Sequence, residues 1–172
     1  MKFRDIVQFT RIGSYQIDVH LNYFKESIDR YVSEEGLQLN PDFQRGHVWS
    51  ESQQIKYVEY LLRGGKSGNI VYLNHPGWHI TSCEGDFVCV DGLQRLTAIY
   101  RFVTNEIPVF DTFYKDFEDS PRMISATIKI NINDLKTRRE VLEWYLEMNS
   151  GGTVHTDDEL NRVRGLLERE TN

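Results

Sequence analysis

The chain has 172 residues and carries 26 Asp and Glu against 20 Lys and Arg, a formal charge of -6. An apolar fraction of 40%, with 9 Phe, 9 Tyr and 3 Trp, is enough to bury a core, which excludes a disordered chain and removes the need for a disulfide scaffold. The acidic balance also argues against a sequence-independent nucleic-acid binder, because such proteins carry excess base to displace counterions.

This length predicts one domain spanning residues 1–172. No apolar run approaches the ~18 residues of a membrane span, and Met1-Lys2-Phe3-Arg4-Asp5 lacks the apolar stretch of a signal peptide. The expectation is a soluble, cytoplasmic protein with no membrane contact. Two cysteines, Cys83 and Cys89, agree with a reducing compartment.

Alternation through Tyr15 to Val19 predicts a half-buried strand. From Asn22, Phe24, Ile28, Tyr31 and Val32 fall at helical spacing, which predicts a helix with Gly36 as its stop. Leu37-Gln38-Leu39 reads as short and extended. Ser50 to Gln53 is a capping box opening a helix through Arg63, with Ile55, Val58 and Leu62 inward. Ile70 to Leu73 and Phe87 to Val90 read as strands, and Leu93, Leu96, Tyr100 and Val103 mark the next helix. Ile124 to Ile132 alternates as a strand. Thr137 to Glu140 is a second capping box, before a helix with Val141, Tyr145 and Met148 inward. Thr156 to Glu159 is a third, before a last helix with Leu160, Val163 and Leu167 inward. Strands and helices interleave, so the class is mixed, α/β or α+β.

Charge is uneven along this order. Residues 84–119 hold 3 basic and 8 acidic side chains, whereas residues 121–140 hold 5 basic and 2 acidic. Arg122, Lys129, Lys136, Arg138 and Arg139 are therefore either a local basic patch that could meet DNA or a solvated face of ion pairs.

Gly64-Gly65-Lys66-Ser67-Gly68 is not a phosphate-binding loop, because Tyr60 stands where the first glycine is needed and the segment closes a helix. His75, His79, Cys83 and Cys89 lack the spacing of a zinc knuckle; Cys89 reads as a small buried hydrophobe. Neither a serine elbow nor a His-Glu-x-x-His helix occurs.

Three stretches are informative. At Val90-Asp91-Gly92-Leu93-Gln94-Arg95 a strand passes at once into a helix, so free N–H groups and the positive end of the helix dipole meet at the turn, where anions bind. Arg95 could fork onto phosphate oxygens and Asp91 could hold a divalent cation; equally, Asp91 could be an N-cap and Arg95 its ion-pair partner. At Phe43-Gln44-Arg45-Gly46-His47-Val48-Trp49, buried aromatics at both ends would pin an extended segment and leave Gln44, Arg45 and His47 projecting. At Asn149-Ser150-Gly151-Gly152-Thr153, paired glycines beside small polar residues suit either an anion nest or a plain linker.

Together these stretches resemble the DGQQR family of the ParB and sulfiredoxin-like superfamily, the domain that opens GmrSD-type modification-dependent restriction enzymes and related phage-defence proteins. Phe43-Gln44-Arg45 with Val48-Trp49 is similar to its QR..VW segment. Asp91-Gly92-Leu93-Gln94-Arg95-Leu96 is similar to DGQQRL, and Asn149 to Thr153 with Thr156 and Leu160 to its last motif. The resemblance implies an α+β fold, a single ParB/sulfiredoxin-like domain with a small mixed sheet flanked by helices. It implies binding and hydrolysis of a nucleoside triphosphate with Mg2+, in a DNA-directed system of a bacterial cell or a phage-infected host. By position, Asp91, Gln94 and Arg95 would be catalytic, with Asp91 on the metal. Gln44, Arg45, Gly92, Arg95, Asn149, Ser150 and Gly151 would bind the nucleotide. Leu93 departs from the signature glutamine and removes one polar contact. The family's histidine-rich nuclease domain has no room here, so cleavage would fall to a protein partner such as a separate nuclease subunit. Phosphotransfer to another acceptor, Mg-dependent DNA nicking, and a non-catalytic regulator that binds nucleotide, DNA or a partner are the rival expectations.

Overall fold

The computed structural model describes residues 1–7, 15–78, 85–150 and 157–170. Its regular elements are β1 (Tyr15–His20), α1 (Leu21–Ser33), α2 (Glu51–Leu62), β2 (Ile70–Asn74), β3 (Val88–Asp91), α3 (Leu93–Val103), β4 (Thr127–Asn133), α4 (Arg138–Ser150) and α5 (Asp157–Arg169). The four strands form one mixed sheet in the order β1-β4-β2-β3. β1 runs antiparallel to β4, β4 parallel to β2, and β2 antiparallel to β3. This is the α+β class, a small mixed sheet flanked by helices.

Period-two patterning sends alternate side chains to opposite faces. Ile128, Ile130 and Ile132 of β4 join Val71 and Leu73 of β2 and Cys89 of β3 in a core completed by Phe24 and Ile28 of α1, Val58 of α2, and Leu96, Ile99 and Phe102 of α3. Val88 and Val90 of β3 point the other way, into a second cluster with Phe43, Leu142, Trp144, Tyr145 and Val163. Helices α1–α3 therefore cover one face, and α4 with α5 covers the other near β3.

The capping boxes form as the sequence requires. Ser50 Oγ accepts from Gln53 N at 3.3 Å while Gln53 Oε1 accepts from Ser50 N at 2.8 Å. Glu140 Oε2 accepts from Thr137 N at 2.9 Å, and Thr137 Oγ1 accepts from Glu140 N at 3.2 Å. The third box, at Thr156, begins outside the described residues.

Two details qualify the periodic patterns. Val32 is exposed, because α1 rotates its inner stripe through Phe24, Ile28 and Tyr31 and leaves Val32 beyond the edge of the apolar arc. Ile124 is also exposed and precedes the strand, which begins at Thr127. The residues before Ile124 form a one-turn 3-10 helix, Pro121–Met123, with Ser120 Oγ accepting from Arg122 N at 3.3 Å, so local capping there wins over alternation.

The junction from β3 to α3 is a single residue. Gly92 has φ +121°, and a Cβ there would lie 2.7 and 2.9 Å from the two Cγ atoms of Val71. Only glycine allows both that backbone and that approach. Gly92→Ala should lower the unfolding free energy by about 2–4 kcal/mol, read from urea denaturation; an unchanged midpoint would show that the turn yields freely.

Candidate functional site

Where β3 hands over to α3, a cleft of about 120 Å³ is lined by Gln44, Arg45, Trp49, Val90, Asp91, Gly92, Leu93, Gln94, Arg95, Tyr145 and Asn149. Residues of the first two informative stretches and Asn149, the one residue of the third whose side chain is described, therefore meet at one place. Asp91 ends β3, opposite Tyr72 of β2. Gly92 caps α3 but has no side chain to satisfy its first N–H groups, so the positive end of the helix faces the cleft.

The charged groups are few. The Arg95 Nη2 atom donates to Asp91 Oδ2, one helical turn back. Arg95 Nε is buried and has no hydrogen-bond partner among the described residues. Arg45 lines the same cleft and sits close enough to oppose, electrostatically, the effect of burial on Tyr145. Burial is the larger influence and pushes the Tyr145 hydroxyl up to about 12, so it remains a neutral donor at ordinary pH.

Carboxamides, with two arginines behind them, hold the walls together. Gln94 Oε1 accepts from Val48 N and Trp49 N, both at 3.0 Å, while its Nε2 donates to Gly46 O at 2.7 Å. Gln44 Nε2 donates to Cys89 O at 3.0 Å and Val90 O at 2.8 Å. Gln54, buried in α2, donates to Trp49 O at 3.1 Å. Arg162 of α5 grips the segment from behind, with Nη1 donating to Asp42 O at 2.9 Å and Nη2 to Phe43 O at 3.3 Å and Gln44 O at 2.7 Å. Arg138 adds a forked pair to the Asp42 carboxylate, at 2.8 and 2.7 Å. The aromatic ends are anchored as well: Phe43 is buried against Tyr145, with ring centroids 5.2 Å apart, and Trp49 packs on Tyr57 at 5.3 Å.

Of the site residues expected from sequence, Gln44, Arg45, Asp91, Gly92, Gln94, Arg95 and Asn149 converge on the cleft. Asn149 Nδ2 donates to Tyr145 O at 2.7 Å. Ser150 closes α4, but its side chain lies outside the described residues, as do Gly151 and the paired-glycine nest. Leu93 is nearly buried and packs into the core. His47 has its pKa lowered, first by burial and then by the positive charge of Arg101. His79 and Cys83 also fall outside the described residues, while Cys89 is fully buried and its thiol is pushed up by burial. Sequence reasoning missed Tyr145 and Arg162. Tyr145 stands four residues before Asn149, so the 3.6-residue period already placed both on one helical face. Nothing local marks Arg162, whose partners lie about 120 positions away.

The five residues of the suspected basic patch are largely compensated. Lys129 pairs with Asp18 at 3.5 Å, Lys136 with Asp134 at 3.3 Å, Arg138 with Asp42 and with Glu170 at 3.2 Å, and Arg139 with Glu143 at 3.0 Å. Arg122 lies 5.5 Å from the Tyr23 ring centroid. No group of three or more metal-ligating side chains occurs among the described residues, and no described helix is long and apolar enough to cross a membrane.

The profile of one protein family, described as GmrSD restriction endonuclease, N-terminal domain, matches residues 24–127, more than half of the chain. No curated protein and no solved structure matches significantly.

The hydrogen bonds of Gln94 predict a local effect. Gln94→Leu removes a partner from three backbone groups and should cost about 1–3 kcal/mol, with amide exchange at Val48 and Trp49 accelerated while exchange in β4 is unaffected. Uniform acceleration across both would show that Gln94 supports the whole fold instead of this loop.

Proposed function

The chain belongs to the family of GmrSD restriction endonuclease N-terminal domains, and so to a restriction or phage-defence setting; on that premise we propose that the cleft binds the phosphates of a nucleoside triphosphate and promotes their hydrolysis. The observation that carries this reading is Arg95 Nε, a buried guanidinium N–H without a partner among the described residues. A buried donor left unmade costs about 1–3 kcal/mol, and native structures rarely keep one without reason. A phosphate oxygen would supply the acceptor. Arg45 lines the same cleft, and two planar guanidinium forks match the geometry of phosphate oxygens better than any other side chains.

Size agrees with phosphate rather than with a whole nucleotide. A cleft of about 120 Å³ is well below the ~300–1,000 Å³ of pockets that enclose a complete ligand, so sugar and base would rest outside it. Asp91 is the one carboxylate lining the cleft among the described residues. Mg2+ suits that donor set, since it is held by one or two carboxylates, substrate phosphates and retained waters. When bound there the ion would neutralise charge on the transferring phosphoryl group. Asp91 would hold the ion or the attacking water, and Arg45 and Arg95 would stabilise the phosphates. Gln44 and Gln94 would act as positioning residues, because their amides are engaged with backbone. The DNA-directed step would belong to a partner such as a separate nuclease, with any contact to DNA through Arg122, Lys129, Lys136, Arg138 and Arg139 requiring their ion pairs to open.

A second reading, a regulator that binds nucleotide without turning it over, is favoured by two features. Asp91 is tied to Arg95, and buried Leu93 replaces the polar signature residue. Calorimetric titration of each nucleoside triphosphate, with and without Mg2+, should show micromolar to millimolar binding that Arg95→Ala weakens at least about tenfold and Arg95→Lys weakens less. Phosphate release that needs Mg2+ and fails in Asp91→Asn supports hydrolysis, and binding without release supports the second reading. Absence of binding at millimolar nucleotide, or equal binding by Arg95→Ala, overturns both.

A further inference from the structure

A cleft of about 120 Å³ is too small to enclose a whole nucleotide, so a base whose phosphates it held would need a surface at its edge. The lining offers few. Val90, Leu93 and Tyr145 are buried and already packed. The amides of Gln44, Gln94 and Asn149 are engaged with main chain, and Asp91, Arg45 and Arg95 are charged. Trp49 remains. It lines the cleft yet is only half-buried, which makes it the one aromatic there with ring surface to spare among the described residues.

The backbone on both sides of this indole is fixed. Trp49 N donates to Gln94 Oε1 at 3.0 Å, Trp49 O accepts from Gln54 Nε2 at 3.1 Å, and Ser50, the next residue, caps α2. Behind the ring lie the core and Tyr57, with centroids 5.3 Å apart and planes at 59°. Tyr57 is itself tied down, its hydroxyl donating to Gly68 O at 3.1 Å. A tilted contact of this kind occupies one side of the indole and leaves the side toward the cleft for another ring. A ring held in advance gives up little conformational entropy when a base stacks on it.

The neighbouring charge fits as well. Burial pushes the Tyr57 hydroxyl up to about 12, and the positive charge of Arg95 is the first influence opposing it. The guanidinium that would meet phosphate therefore stands at the same end of the cleft as the Trp49–Tyr57 pair. A nucleotide lying over that end would set its phosphates on Arg95 and its base on the indole.

On the phosphate reading of the cleft, which this inference requires, we propose that Trp49 is the platform on which the base of the bound nucleotide stacks. Such a stack is worth on the order of tenfold in affinity.

Inorganic tripolyphosphate carries phosphates without a base and separates the platform from the phosphate site. Both ligands are titrated calorimetrically into the whole chain with Mg2+. In Trp49→Leu, which keeps apolar bulk without an aromatic ring, the ratio of nucleotide to tripolyphosphate affinity should fall about tenfold while tripolyphosphate binding is unchanged. Trp49→Phe should fall between. Should the leucine variant fail to fold, the native chain still decides. Its tryptophan fluorescence should be quenched by nucleotide and not by tripolyphosphate, since Trp78 and Trp144 do not line the cleft. An unchanged ratio in Trp49→Leu, whether both affinities hold or both fall, overturns the platform and leaves the phosphate site standing. So does nucleotide binding without a quench. If neither ligand binds at millimolar concentration, the phosphate reading itself falls and the platform with it.

Discussion

The geometry of the cleft rests on neutral carboxamides bonded to main chain. Gln94, in the first turn of α3, satisfies three backbone groups of residues 46–49, and Gln44 answers from that segment with two bonds into β3. The two walls are some 45 residues apart in sequence and are locked reciprocally. Had charged side chains made these ties, their fields would have competed with the arginines. Because amides make them, Arg45, Arg95 and Asp91 are the charged side chains that line the cleft among the described residues, while Arg162 braces one wall from outside it.

The same bonds solve a second problem. β3 is an outer strand of the sheet, with β2 on one side only, and an outer strand exposes main-chain groups that invite unwanted pairing. Gln38 bridges β3 beside Val88, with bonds of 2.8 Å to Phe87 O and 3.0 Å from Cys89 N. The Gln44 amide then takes the carbonyls of Cys89 and Val90. Covering the strand and walling the cleft are thus one construction, and Arg162 secures it from α5.

Much of the fold was legible because it follows from local rules. Isoleucines at every second position of β4 and the Ser50 and Thr137 boxes specify their elements without tertiary information. Val32 lies outside the buried arc of α1, because periodicity tells that a face is apolar and not how wide it is, and β4 starts three residues after Ile124, because the Ser120 cap acts there first. The site was legible in a different sense: Asp91, Gln94, Arg95, Gln44 and Arg45 stood out by residue type, yet the partner of each amide could not be read. Whether Gln94 faces a ligand or a loop depends on a contact across 46 positions. Arg162 left no mark for the same reason, since a distant backbone acceptor has no sequence signature.

The contact between Asp91 and Arg95 ties the end of β3 to the first turn of α3 across the single glycine that joins them. The carboxylate takes one nitrogen of the guanidinium and leaves another, Nε, buried without a partner among the described residues. On the reading proposed for the cleft, a phosphate oxygen accepting from Nε would not have to break that tie. Bracing the turn and meeting a guest would then fall to different nitrogens of one side chain.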